Sequence, residues 1–152
     1  LERVRELGFR CGQLGIEEGV PLHDLRYDFG DFAVATVFCA YEGEDYADIA
    51  TVERTVGLVP REWRERRVAR TLEVSDWAAR HGVPAIACHI GVVPEDPRHP
   101  DFTGVKDAVR EVCDHAARNG QSFALETGQE RADVLLRFRD EVDRGNLKIN
   151  FD

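Results

Sequence analysis

Gln121-Ser-Phe-Ala-Leu-Glu126 and Leu147-Lys-Ile-Asn-Phe-Asp152 are the stretches on which the reading of this chain turns. In the first, which extends over Gln121–Thr127, alternation puts Phe123 and Leu125 on one face and Ser122, Ala124 and Glu126 on the other. In the second, Ile149 and Phe151 share a face, while Lys148, Asn150 and Asp152 share the opposite one. Each segment reads as a strand with an apolar side for helices and a small or polar side that finishes in an acid. As parallel neighbours, the two strands bring Glu126 and Asp152 side by side at their carboxyl ends, where α/β proteins place their chemistry.

The segment between them, Glu130–Asp143, predicts a helix with Leu135, Phe138 and Val142 facing in and Gly145 closing it. Upstream, Gly104–Asn119 carries Val105, Ala108, Val109, Val112, Cys113 and Ala116 on one unbroken amphipathic stripe that stops at Gly120. The loop Gly91–Phe102 turns at Pro97 and Pro100. Before it, Pro84–Ile90 predicts a strand with Ile86, Cys88 and Ile90 on one face and Ala85, Ala87 and His89 on the other. Arg61–His81 predicts a long helix with Val68, Leu72 and Ala79 at core positions and Gly82 as its stop. Trp63 and Trp77 on that helix read as packing residues, and its basic cluster at Arg61–Arg70 reads as a solvated face.

Tyr41–Pro60 spends some length before that helix, and inserts of this kind are functional or carry small structure of their own. Phe32–Cys39 is an unbroken apolar run, the mark of a strand buried on both faces. Earlier still come a short helical piece near Leu22–Phe29, a polar turn at Gly15–Gly19 and a strand at Phe9–Leu14, which Gly12 weakens. Leu1–Leu7 reads as the end of a helix with Val4 and Leu7 on its apolar side.

About five strands thus alternate with helices, which calls for parallel pairing through helical crossovers. An open doubly wound sheet and part of a (β/α)8 barrel both satisfy that alternation. Small Ala85, Ala87 and Ala124 and polar Ser122, Lys148 and Asn150 suit a barrel interior better than a sheet covered by helices on both faces. No G-x-G-x-x-G or Walker loop supports a nucleotide-binding open sheet. The expected architecture is α/β, a partial (β/α)8 TIM barrel in a single domain over 1–152. A complete barrel takes about 250 residues, so parts at both ends are expected to be missing. Uncovered edges and faces then predict association into a homo-oligomer, aggregation or marginal folding of the 152 residues.

Apolar content of 43% and charged content of 32% are those of a soluble globular protein. The formal charge of −9, from 29 acids against 20 bases, disfavours a grip on nucleic acid or an anionic membrane. No apolar run approaches the ~20 residues of a membrane span. Cys11, Cys39, Cys88 and Cys113 lack metal-type spacing, and they read as buried reduced thiols of a cytoplasmic protein.

Ala87-Cys-His-Ile-Gly91, Ala124-Leu-Glu-Thr-Gly128 and Ile149-Asn-Phe-Asp152, in this order, resemble the sugar phosphate isomerase/epimerase family. These are xylose isomerase-like TIM barrels, a superfamily that takes in tagatose epimerases, inosose dehydratases and endonuclease IV. Phe38-Cys-Ala-Tyr-Glu-Gly-Glu-Asp-Tyr46 and Thr55-Val-Gly-Leu-Val-Pro60 resemble one subgroup of it. The resemblance implies a divalent metal (Mn2+, Mg2+, Co2+ or Zn2+) held by Glu, Asp, His and Glu from the ends of the last strands. Glu126 matches the first ligand and Asp152 the second, which makes the strands here the second to the sixth. The later His and Glu would lie beyond Asp152, so the 152-residue chain alone is expected to be inactive. It also implies that Glu126 is one of a pair of glutamates that move a proton beside a sugar carbonyl. His89 is then a substrate contact. Tyr41, Glu42 and Tyr46 belong to a segment that covers the site or simply packs as a loop, and Tyr41 and Glu42 are taken as further substrate contacts.

The implied activity is metal-dependent isomerisation or epimerisation of a small-molecule sugar or sugar derivative. Two other readings stay open: a metal-dependent dehydratase or phosphodiesterase on the same barrel, and a degenerate, non-catalytic barrel. Each acid also has a plainer reading, since a strand-end Asp or Glu can cap the following helix. His89 can equally be a satisfied interior histidine. His23, His81, His99 and His115 read as solvated, and Gln13 is a weaker candidate than any of these.

Overall fold

A computed structural model describes residues 2–152. Five strands, β1 (Cys11–Glu17), β2 (Ala33–Ala40), β3 (Ala85–His89), β4 (Ser122–Glu126) and β5 (Leu147–Asn150), form one sheet in the order β1-β2-β3-β4-β5. Every pairing is parallel. A doubly wound sheet reverses its strand order at a switch point, whereas this one never does. Right-handed crossovers then keep all helices on one side, and the sheet is an arc of a (β/α)8 barrel.

The helices are α1 (Glu2–Glu6), α2 (Ile49–Thr55), α3 (Arg61–Arg80), α4 (Pro100–Arg118) and α5 (Ala132–Val142). The core lies between the outer face of the sheet and α3, α4 and α5, where Ile86, Cys88, Phe123 and Leu125 meet Val74, Trp77, Phe102, Val109 and Phe138. Phe102 and Phe138 meet edge to face at 5.5 Å and tie α4 to α5, a contact of about 0.5–1.5 kcal/mol beyond area burial. The opposite face carries the small residues expected of a barrel lining. Register aligns Gly15, Phe38, Ala87, Ala124 and Lys148 in one row across the sheet.

Several elements differ from the sequence reading. The first strand begins at Cys11 and runs through the expected turn to Glu17. Gly12 is spared a side chain because a Cβ would stand 3.1 Å from the Phe32 ring. Leu22–Phe29 is turn and coil, not helix. Its carbonyls are claimed from outside: Trp77 Nε1 donates to Leu25 O at 2.9 Å, and Arg70 donates to Val20 O just before it at 2.8 Å. Helix α4 starts four residues early because His99 caps it and Pro100 takes the first-turn position, where no N–H is needed. Helix α1 has no buried residue, so Val4 and Leu7 face solvent, and Leu1 lies outside the described residues.

Arg67 and Arg70 are buried rather than solvated, and His115 pairs with Asp76 at 2.6 Å. His81 likewise stacks on Trp77 at 4.0 Å between ring centroids. Cys39, Cys88 and Cys113 are buried free thiols as expected, while Cys11 is exposed. Burial pushes the Cys39 and Cys113 thiols up to about 12, so neither is reactive at neutral pH. Among the described residues no helix is long and apolar enough to cross a membrane.

Candidate functional site

The carboxyl ends of the strands set the site. Register pairs His89 with Glu126 and Glu126 with Asn150, so these three side chains share one row facing the barrel interior. Asp152 therefore stands one pleat beyond Glu126 rather than directly opposite it. It is fixed to the β4 end by Thr127: Asp152 N donates to Thr127 Oγ1 at 3.1 Å, and Thr127 N donates to Asn150 O at 3.0 Å.

The Glu126 carboxylate accepts no hydrogen bond from the described residues. Partial burial raises its pKa first, and the charges of Asp152 and Glu44 raise it further. Glu126 and Asp152 offer hard oxygen donors of the kind Mg2+ and Mn2+ prefer, so they fit such an ion. Among the described residues no group of three or more metal-ligating side chains is assembled.

His89 is buried, and its Nδ1 accepts from Gly91 N at 3.0 Å, which places the ring proton on Nε2. Burial lowers its pKa and keeps the ring neutral. Nε2 faces Gly128, where a Cβ would stand 2.8 Å from the ring, and the Glu130 carboxyl approaches the same point to 3.3 Å. Both Glu130 oxygens are shut off from solvent without a hydrogen-bond partner, and burial raises their pKa against weak help from nearby backbone N–H groups. Sequence reasoning missed Glu130, because an acid at the start of a helix ordinarily just answers the helix dipole.

The β2–α3 segment forms the neighbouring wall. Tyr41 is buried and turned to the helix layer, its hydroxyl 2.6 Å from Thr71 Oγ1 and its ring beneath Arg67. Glu42 points outward and pairs with Arg66 at 2.9 Å. Neither is brought to Glu126, although both line a hollow of about 420 Å³ over β1 and β2 with Glu44 and Tyr46. Gln13 lies lower on β1, opposite Thr36. Arg67 holds the segment from below, donating to Gly57 O at 2.7 Å and Glu42 O at 3.1 Å. A second hollow, of about 620 Å³, opens on the other side, between α2 and the loops that carry Val93 and Glu130.

The pattern of the family described as xylose isomerase-like TIM barrel matches residues 1–152. No curated protein matches the sequence. A solved xylose isomerase domain protein from Planctomyces limnophilus is 49% identical, with a TM-score of 0.75, over 78% of this chain and 42% of its own. A xylose isomerase-like TIM barrel protein from Mycobacterium smegmatis, in complex with magnesium, is 20% identical with a TM-score of 0.66, over 97% of this chain and 53% of its own. D-psicose 3-epimerase from Clostridium cellulolyticum H10, solved with D-tagatose, is 21% identical with a TM-score of 0.66, over 99% and 56%. The last two show likeness of fold. The chain spans about half the length of these proteins.

Proposed function

The chain belongs to the xylose isomerase-like TIM barrel family, and on that premise we propose that Glu126 is a proton-transfer base in a metal-dependent isomerase or epimerase of a sugar or sugar derivative. One observation carries the reading: Glu126 ends an interior-facing strand in register with His89, its carboxylate takes no hydrogen bond from the described residues, and Asp152 stands one pleat beyond it. A carboxylate so placed can serve as a general base. Its task is to take the proton from the carbon next to the sugar carbonyl. A proton delivered to the opposite face by a second acid, exchanged with solvent, gives an epimer. Delivery to the neighbouring carbon, with the hydroxyl proton passing from one oxygen to the other, gives an isomer.

Glu126 and Asp152 would hold the divalent cation, which when bound polarises the carbonyl and so acidifies the adjacent C–H. Their oxygens suit Mg2+ or Mn2+, and Co2+ or Zn2+ would gain if imidazole joined the set. His89 Nε2–H would donate to a sugar hydroxyl, and Glu130, whose oxygens are closed off from solvent, backs the His89 corner of the site rather than touching substrate. The substrate is a small molecule, and the free thiols support a reducing, cytoplasmic setting.

The test is turnover of D-psicose and D-tagatose by the natural full-length protein with Mn2+ in D2O. Deuterium should enter at the carbon beside the carbonyl, and Glu126→Gln should cut the rate about 10²–10⁴-fold. A Glu126→Gln variant as active as the parent would remove Glu126 from the chemistry.

A further inference from the structure

Tyr46 is an exposed aromatic held in an unusually defined place. Its ring stands edge-on to His89 with centroids 5.9 Å apart, yet 55% of the residue remains open to solvent. A tyrosine on a loose loop would have no reason to keep that position, and this loop is not loose. Glu44 Oε1 accepts from Gly57 N at 2.9 Å and Glu44 Oε2 from Tyr41 N at 3.2 Å, so one carboxylate ties the start of the segment to its end. Asp45 N donates to Thr55 Oγ1 at 3.1 Å, and Ala47 N to Asp45 Oδ1 at 2.9 Å, which pins the backbone on both sides of Tyr46.

The far end of the tie is anchored to β3. A Cβ on Gly57, whose φ is +74°, would overlap the Ile90 carbonyl. Leu58 N and Val59 N both donate to Ile90 O, at 2.8 and 3.1 Å. Glu44 is thus tied through Gly57 to the residue that follows His89, and the segment that carries Tyr46 is fixed to the β3 end. Burial, then the charges of Glu44 and Glu126, raise the phenol's pKa, so at neutral pH it is a hydrogen-bond donor and not a base. His89, against which the ring stands, pairs in register with Glu126, so the phenol lies at the same strand ends as the proposed base.

We propose that Tyr46 is a catalytic residue that donates a hydrogen bond to a sugar oxygen beside Glu126, and that Glu44 is its positioning residue. The assignment rests on the isomerase reading of Glu126. As the α-proton leaves, negative charge grows on the carbonyl oxygen, and a neutral donor fixed at that end of the site strengthens its bond as the charge develops. Glu44 contributes by holding the donor still, which a flexible loop would not do.

The experiment is a double-mutant cycle in the natural full-length protein, with D-psicose, D-tagatose and Mn2+. Tyr46→Phe keeps the ring against His89 and removes only the hydroxyl. It should lower kcat about 10- to 100-fold with little change in KM. Glu44→Gln should lower kcat by a similar factor in the parent and add almost nothing in the Tyr46→Phe background. A Glu44→Gln loss of equal size in both backgrounds would overturn the positioning role. A Tyr46→Phe variant as active as the parent would overturn the assignment while leaving Glu126 intact. A parent that turns over neither ketose would overturn the isomerase reading for these substrates and the Tyr46 assignment with it. Should Glu44→Gln fail to fold, Tyr46→Phe alone decides.

Discussion

The imidazole of His89 lies so close to Gly128 that a Cβ there would stand 2.8 Å from both Cε1 and Nε2. The two residues come from neighbouring strand ends, and neither can change without moving the other. Gly128→Ala is expected to displace the ring and to cost about 1–3 kcal/mol, the usual range for overpacking. Denaturant unfolding measures the cost, and the His89 ring resonances in an NMR spectrum report the displacement. Ring resonances that stay where they were would refute the contact.

Burial lowers the His89 pKa, so the folded protein resists protonating this ring while the unfolded chain takes the proton near its ordinary value of about 6.5. The unfolded state then binds more protons below that value. His89 should therefore leave stability untouched above about pH 6.5 and erode it as the pH falls. Urea midpoints of the parent and of His89→Gln, compared at pH 7.5 and 5, test this. The parent should lose more stability than the variant, and parallel losses would contradict the linkage.

Arg67 is buried and holds two carbonyls of the β2–α3 segment, Gly57 O and Glu42 O. Arg67→Ala leaves those two carbonyls without their donor, at an expected cost of about 1–3 kcal/mol for each that stays buried and unpaired. The loss should be local first: amide exchange at Leu58 and Val59, which donate to Ile90 O, should quicken before that of α4. Uniform acceleration across the fold would mean that the arginine stabilises the whole and not the segment.

Two carboxylates make a weak cation site, so the 152-residue chain should bind Mn2+ with a Kd of about 10⁻⁴–10⁻³ M, the weak end for oxygen-ligand sites. Electron paramagnetic resonance titration reads free Mn2+ without any need for turnover. Glu126→Gln and Asp152→Asn should each abolish the binding, and retention in both variants would place the ion elsewhere.

Strands β1 and β5 end the sheet with unpaired backbone groups, and Phe151 at the β5 side is 90% exposed. Edges of this kind recruit other strands. The 152-residue chain by itself should sediment as dimers or larger species in velocity ultracentrifugation. A single monomer boundary with a sharp melt would show the edges to be harmless.

Strand alternation around Phe123, Leu125 and Glu126 depends on local side-chain order alone, and the sequence carries it in full. The α4 stripe from Val105 to Ala116 is legible for the same reason. Arg67 and Arg70 were not, because a helical Arg-rich face looks solvated until another segment is known to lie upon it. The Leu22–Phe29 coil escaped likewise, since what unwinds it is Trp77 and Arg70, some fifty residues away in the chain. Within the site, Glu126 and His89 are visible as strand-end residues. Glu130 and the Glu44–Gly57 tie exist only through contacts that no local pattern announces.

Because each strand from β2 to β5 pairs with the strand translated just before it, the sheet can lengthen in step with synthesis. A strand leaving the ribosome finds its partner already standing, and the helix that follows has a surface to dock on. Each strand from β2 to β5 meets its earlier neighbour at once, which shortens the interval in which apolar strands lie open to other chains. Arrested nascent chains should then register a pulling force as β3, β4 and β5 each clear the exit tunnel, whereas one late force peak would mean that the arc closes all at once.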